Sequence, residues 1–141
     1  MRNKTFAIIK PDAVKNKYTG KIYDRILDAG FEILAAKKVH MTLEQAEGFY
    51  SVHTGKPFFA ELTEFMSSGP CMVLALKKEN AVDAWRETIG ATNPSDATDG
   101  TIRKDYATSL GQNAVHGSDS HENAILEIGF FFSQAELIQT Q

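Results

Sequence analysis

An α/β or α+β sandwich, with helices covering a sheet, is the fold class this sequence predicts. Two observations carry it. Strand-like apolar runs alternate along the chain with segments whose apolar residues recur at helical spacing. Glycine, proline or a capping residue punctuates nearly every change of period. A third observation sets the scale: 141 residues make one domain, here taken as residues 1–141, large enough to bury a core.

The elements follow in order. Residues 5–10, TFAIIK, read as a strand ended by Pro11, and Asp12 suits a turn. After Gly20, Ile22, Ile26 and Leu27 have helical spacing, and Gly30 is a plausible stop. Residues 31–40, FEILAAKKVH, are strand-like. Thr42 with Gln45 forms a capping-box pattern opening a helix with Leu43, Ala46 and Phe49 on one face. Pro57 is expected to open another, with Phe59, Leu62, Phe65 and Met66 as its stripe. Residues 71–76, CMVLAL, are apolar throughout, as a buried central strand would be. Asn80 is expected to cap a helix bearing Val82, Trp85 and Ile89, closed by Gly90. From there to about Asn113 no period is sustained, and an irregular stretch of this length inside a compact domain is usually functional. A last helix from about Ser120 is expected to turn Ala124, Ile125, Ile128 and Phe132 inward.

Composition excludes several function classes. Hydrophobic residues make up 43% and charged residues 23%, ordinary for a globular protein. No apolar run approaches the ~20 residues a membrane span needs, and the apolar stretch of residues 6–9 is too short for a signal-peptide core. The single Cys71 lies in an apolar run and reads as a buried hydrophobe. A cytoplasmic location is therefore expected, with no membrane partner. A net charge of −3 gives no basic footprint for nucleic acid, so a polyanionic ligand must meet a local cluster of cations. The phosphate-loop, dinucleotide and zinc-protease motifs are absent, and His53, His116 and His121 lack metal-site spacing.

What remains centres on residues 113–120, NAVHGSDS. They suit either a turn that happens to hold an imidazole or a nucleophile at the lip of a pocket above a helix start. Ser118, Asp119 and Ser120 offer three successive N-cap candidates. Glu127 has Ala124 and Phe131 as helical neighbours; a carboxylate so flanked is half-buried and wants a partner, and a pair with His116 would orient the ring. Lys10, Arg86 and Arg103 sit at element ends around the long loop, where they can serve as helix-end and loop charges or jointly as phosphate ligands. Phe58, off the apolar stripe, is a candidate stacking plate for a base.

Taken together the chain resembles the nucleoside diphosphate kinases over essentially its whole length. NAVHGSDS is similar to that family's active-site signature without departure. It is accompanied in family order by IIKPDAV (8–14), Tyr50, KPFF (56–59), SGP (68–70), TNP (92–94), GTIR (100–103) and Glu127. The resemblance implies a ferredoxin-like sandwich on a four-stranded antiparallel sheet. It also implies transfer of a γ-phosphate from a nucleoside triphosphate to a nucleoside diphosphate through a phosphohistidine. Residue by residue it makes His116 the nucleophile and Glu127 the acid bonded to its ring. Lys10 and Asn113 become groups reaching the ribose 3′-hydroxyl and the moving phosphate, and Tyr50 a neighbour of the reaction. Arg86, Thr92 and Arg103 become phosphate ligands, and Phe58 and Leu110 opposite faces of a base site. His53 matches a phosphate contact seen only in some members. Gly117, Ser118, Asp119 and Ser120 support the nucleophile. Mg²⁺ is expected on the nucleotide phosphates rather than in a protein cage, and a homo-oligomer, tetramer or hexamer, is implied. Lys104 and Tyr106 depart from the residues frequent in the family, at the rim of the loop. A nucleic-acid or ligand-binding module on the same fold, and a histidine phosphohydrolase, are the alternatives.

Overall fold

The computed structural model describes residues 2–138. In chain order they form β1 (Lys4–Ile9), α1 (Pro11–Lys15), α2 (Thr19–Asp28), β2 (Glu32–Val39), α3 (Leu43–Phe49), α4 (Phe59–Met66), β3 (Cys71–Lys77), α5 (Ala81–Ile89), α6 (Ile102–Tyr106), β4 (Val115–Gly117), α7 (His121–Phe131) and α8 (Gln134–Ile138). The strands make one sheet in the order β2-β3-β1-β4, every neighbouring pair antiparallel. This is the ferredoxin-like arrangement.

Both faces of the sheet are buried, which explains why residues 71–76 carry no polar position. Side chains alternate across a strand. Ala7, Ile9, Leu74 and Leu76 face Ile22 and Ile26 of α2 and Trp85 and Ile89 of α5. Phe6, Ile8, Val73 and Ala75 face Ala46 of α3, Met66 of α4, and Ile128 with Phe132 at the end of α7. Cys71 lies in this second layer and is fully buried, with its thiol pushed up to about 12 by burial. None of the helices in the described residues is long and apolar enough to cross a membrane.

Local signals explain most boundaries. The capping box is present in full: Thr42 N donates to Gln45 Oε1 at 2.8 Å, and Gln45 N donates to Thr42 Oγ1 at 3.0 Å. Four expectations are corrected. Pro57 does not open a helix; it is the second residue of a tight turn, closed by Phe59 N to Lys56 O at 3.1 Å, and α4 begins after it. Asn80 holds the cap position in a left-handed conformation, but its side chain makes no capping bond. Ile125 turns outward, 48% exposed, since the stripe of α7 is completed by other residues. The stretch from Gly90 to Asn113 is not irregular throughout. Asn93 accepts from Ser95 N to start a short 3₁₀ turn, and Thr101 accepts from Lys104 N to start α6. A five-residue helix is too short to show a period.

Gly90 anchors the start of that stretch. It has φ +89°, and a Cβ there would lie 2.6 Å from Thr101 Oγ1 and 2.7 Å from Thr101 Cβ. Only a residue without a side chain lets the end of α5 meet the cap of α6. Gly90→Ala should cost about 1–3 kcal/mol by overpacking, with further backbone strain. Urea unfolding measures it, and an unchanged midpoint would show that the contact yields freely.

Candidate functional site

His116 sits on β4 opposite Ile8 of β1, so it faces the layer made by α3 and α7. Its side chain is 17% exposed, edge-on to Phe49, Phe6 and Tyr50 at ring distances of 5.5, 6.0 and 6.3 Å. Its Nε2 lies 2.9 Å from Glu127 Oε1, and Ser118 Oγ donates to the same oxygen at 2.7 Å. A carboxylate only accepts, so in the neutral ring Nε2 carries the proton and Nδ1 the lone pair. The half-burial and the partner expected for Glu127 are both observed.

The three capping candidates divide the work. Ser120 caps α7 by accepting from Asn123 N at 3.1 Å, and Asp119 Oδ1 accepts from Asn123 Nδ2 at 2.6 Å. Ser118 instead turns inward, fully buried, to Glu127. Gly117 is needed for close approach: a Cβ there would lie 2.8 Å from Trp85 Cδ1. Trp85 Nε1 comes in to donate to His116 O at 3.0 Å.

Upstream, the loop is gripped from two sides. Lys10 Nζ donates to Asn113 Oδ1 at 2.9 Å, and Asn113 Nδ2 donates to Thr92 O at 3.2 Å. Arg103 does not lie in solvent. It is 7% exposed and donates to Asn113 O, Gly90 O and Val115 O at 3.3, 3.0 and 2.8 Å. Three of its five donors therefore hold backbone, and two remain. Asp12, on α1, accepts from Ala114 N at 3.1 Å.

Three clefts gather the residues singled out from the sequence. His116, Tyr50, His53 and Glu127 line one of about 350 Å³. Lys10, Phe58, Thr92, Leu110 and Asn113 line a second of about 630 Å³. Arg86, Thr92 and Arg103 line a third of about 340 Å³. Thr92 belongs to both of the latter, and the rings of His53 and Phe58, 5.3 Å apart, bridge the first two. Phe58 and Leu110 are exposed, at 47% and 59%, on the same cleft. His53 Nδ1 lies 3.0 Å from Lys56 Nζ. Lys104 is exposed away from these contacts, and Tyr106 packs on the Tyr18 ring at 4.9 Å.

Burial sets the electrostatics. Lys10 is lowered to about 8, by burial first and then by Arg103, with Asp12 opposing. Burial, then the charge of Arg86, lowers Arg103 to about 10. Tyr50 is pushed up by burial, and its hydroxyl has no partner among the described residues. The sequence reading missed Trp85 and Asp12, which act on the backbone around His116. Trp85 was absorbed by the apolar stripe of its helix and Asp12 by a turn. The inward role of Ser118 was equally hidden among three equivalent cap candidates. Ser118→Ala should lose about 1.5–3 kcal/mol, the worth of a hydrogen bond to a charged group, read by urea unfolding; loss well below this would mean Glu127 is held by His116 alone.

The family model for nucleoside diphosphate kinase matches residues 3–137. A nucleoside diphosphate kinase of Geotalea uraniireducens is 59% identical over 135 residues, 96% of this chain and 98% of that one. The crystal structure of the Aquifex aeolicus nucleoside diphosphate kinase superposes with a TM-score of 0.94 at 45% identity, covering 96% of this chain and 98% of that one. That of a halophilic nucleoside diphosphate kinase from Halobacterium salinarum, in complex with CDP, gives a TM-score of 0.91 at 37% identity, covering 95% and 90%. With the family model matched over nearly its whole length, the chain belongs to the nucleoside diphosphate kinase family of phosphotransferases.

Proposed function

We propose that this chain moves the γ-phosphate of a nucleoside triphosphate onto a nucleoside diphosphate in two half-reactions, with His116 as the covalent carrier. The observation that supports this most directly is the imidazole tied through Nε2 to Glu127 beside an open cleft, its Nδ1 lone pair unspent. In the first half-reaction Nδ1 attacks the γ-phosphorus, the bond to the β,γ-bridging oxygen breaks, and the diphosphate leaves with that electron pair. In the second a different diphosphate attacks the phosphohistidine and the steps reverse. Glu127 holds the ring and stabilises the charge it gains; Ser118 holds Glu127.

Phosphoryl transfer needs alignment and charge stabilisation more than covalent help. Lys10 and Asn113 are already bonded to each other, so they can meet the ribose 3′-hydroxyl and the moving phosphate as a unit. Arg86, Thr92 and the two remaining donors of Arg103 are suited to the phosphates, with His53 and Tyr50 at the neighbouring cleft. Mg²⁺, when bound, would neutralise charge on the nucleotide phosphates. The residues fit a metal that arrives with the nucleotide. The carboxylates of the His116 cleft, Asp119 and Glu127, are engaged with Asn123 and with His116 and Ser118, leaving little for direct ligation. A cytoplasmic location and a homo-oligomer belong to the same reading; β2, eight residues long at the sheet edge, leaves ladder groups for a second copy.

With Mg²⁺ and γ-labelled ATP, an acid-labile label should appear on His116 and pass to added GDP or CDP, while His116→Ala still folds but takes no label. Release of the label as free phosphate would make the chain a hydrolase instead. Base preference should be slight, because Phe58 and Leu110 offer stacking and apolar contact worth ~1–3 kcal/mol to any base. Steady-state exchange with purine and pyrimidine diphosphates is expected within about a hundredfold, since stacking reads no base edge; a larger preference would mean that a polar group of the cleft reads the base.

A further inference from the structure

Ala114, two residues before His116, is a non-glycine residue in the left-handed region, with φ +71°. Such a conformation persists only when its surroundings hold it. The junction of β1 and α1 does so with both of its ends. Lys10 N donates to Ala114 O at 2.8 Å, and Ala114 N donates to Asp12 Oδ2 at 3.1 Å. Every backbone polar group of Ala114 is thus taken by the two residues that flank Pro11. On one side of this clamp stands Asn113, bonded to Lys10 Nζ; on the other stands Val115, leading to His116.

Asp12 is buried, and its second oxygen, Oδ1, is buried without a partner among the described residues. A carboxylate is costly in such a place, since burial disfavours its charge. The backbone N–H groups of Ala114, Ala13 and Asp12 itself oppose that cost, and the carboxylate lies in the first turn of α1.

We propose that Asp12 is a positioning residue of the transfer site, whose carboxylate fixes the left-handed Ala114 ahead of His116. The role in transfer rests on the function proposed above; the clamp does not.

Two substitutions test it. Asp12→Asn retains an acceptor for Ala114 N, and Asp12→Ala removes it. The Ala114 amide is followed by hydrogen exchange, and phosphate exchange by kcat and KM. In Asp12→Ala the Ala114 amide should exchange about tenfold faster and kcat should fall about tenfold with KM little changed, while Asp12→Asn stays near wild type in both. An Ala114 amide at the wild-type rate in Asp12→Ala overturns the proposal, and so does a faster amide with an unchanged kcat. Loss of amide protection in Asp12→Asn overturns it as well, even if Asp12→Ala does not fold. If the unmodified protein exchanges no phosphate, that failure falls on the proposed function, because the amide reading uses no substrate.

Discussion

A strand of three residues at the edge of a sheet cannot be held by its ladder alone. Among the described residues β4 has only β1 as a neighbour, and the carbonyl of Val115, turned away from β1, needs a donor that no further strand supplies. Arg103 takes that place, and Trp85 adds a donor to the carbonyl of His116, the next residue along. The rest of the site depends on these two side-chain bonds, because they fix His116 where Glu127 can reach the ring. Gly117 is bare so that Trp85 can come close enough, and Gly90 is bare so that α6 can bring Arg103 in. Packing, backbone satisfaction and the geometry of the site are one requirement rather than three.

The same economy makes the charges uncomfortable in the free protein. Lys10 and Arg103 are buried, and each is disfavoured by burial and by a neighbouring cation. Two cations held in this way are costly until an anion arrives. For the function proposed here that cost is an advantage. A polyphosphate relieves a repulsion already built in, so its binding is favoured by relief as well as by contact. Arg103 illustrates why the two uses coexist: a planar group with five donors can hold three carbonyls and still present an edge to a ligand, which a lysine could not.

Much of the fold was legible because the chain is locally consistent. The buried β3, the capping box at Thr42 and the stripe of α5 carried their own period or punctuation, and all appear where they were expected. The pairing of Glu127 with His116 was legible for a physical reason, since a carboxylate among apolar helical neighbours must find a partner. What escaped was whatever depends on approach in space. Nothing local distinguishes Ser118, which turns inward, from Ser120, which caps. Nothing in a turn after Pro11 announces that Asp12 reaches a residue 102 positions away. The short α1 and α6, five residues each, fall below the length at which any period can be read.

Trp85 gives this arrangement an optical consequence. It is the one tryptophan of the chain, fully buried, edge-on to the Phe31 ring, with its indole N–H on the carbonyl of His116. Indole emission responds to hydrogen bonding and local field at that N–H. The molecule therefore carries a native fluorophore wired to the backbone of His116, and a change of charge at that residue has a path to the emission spectrum that needs no dye.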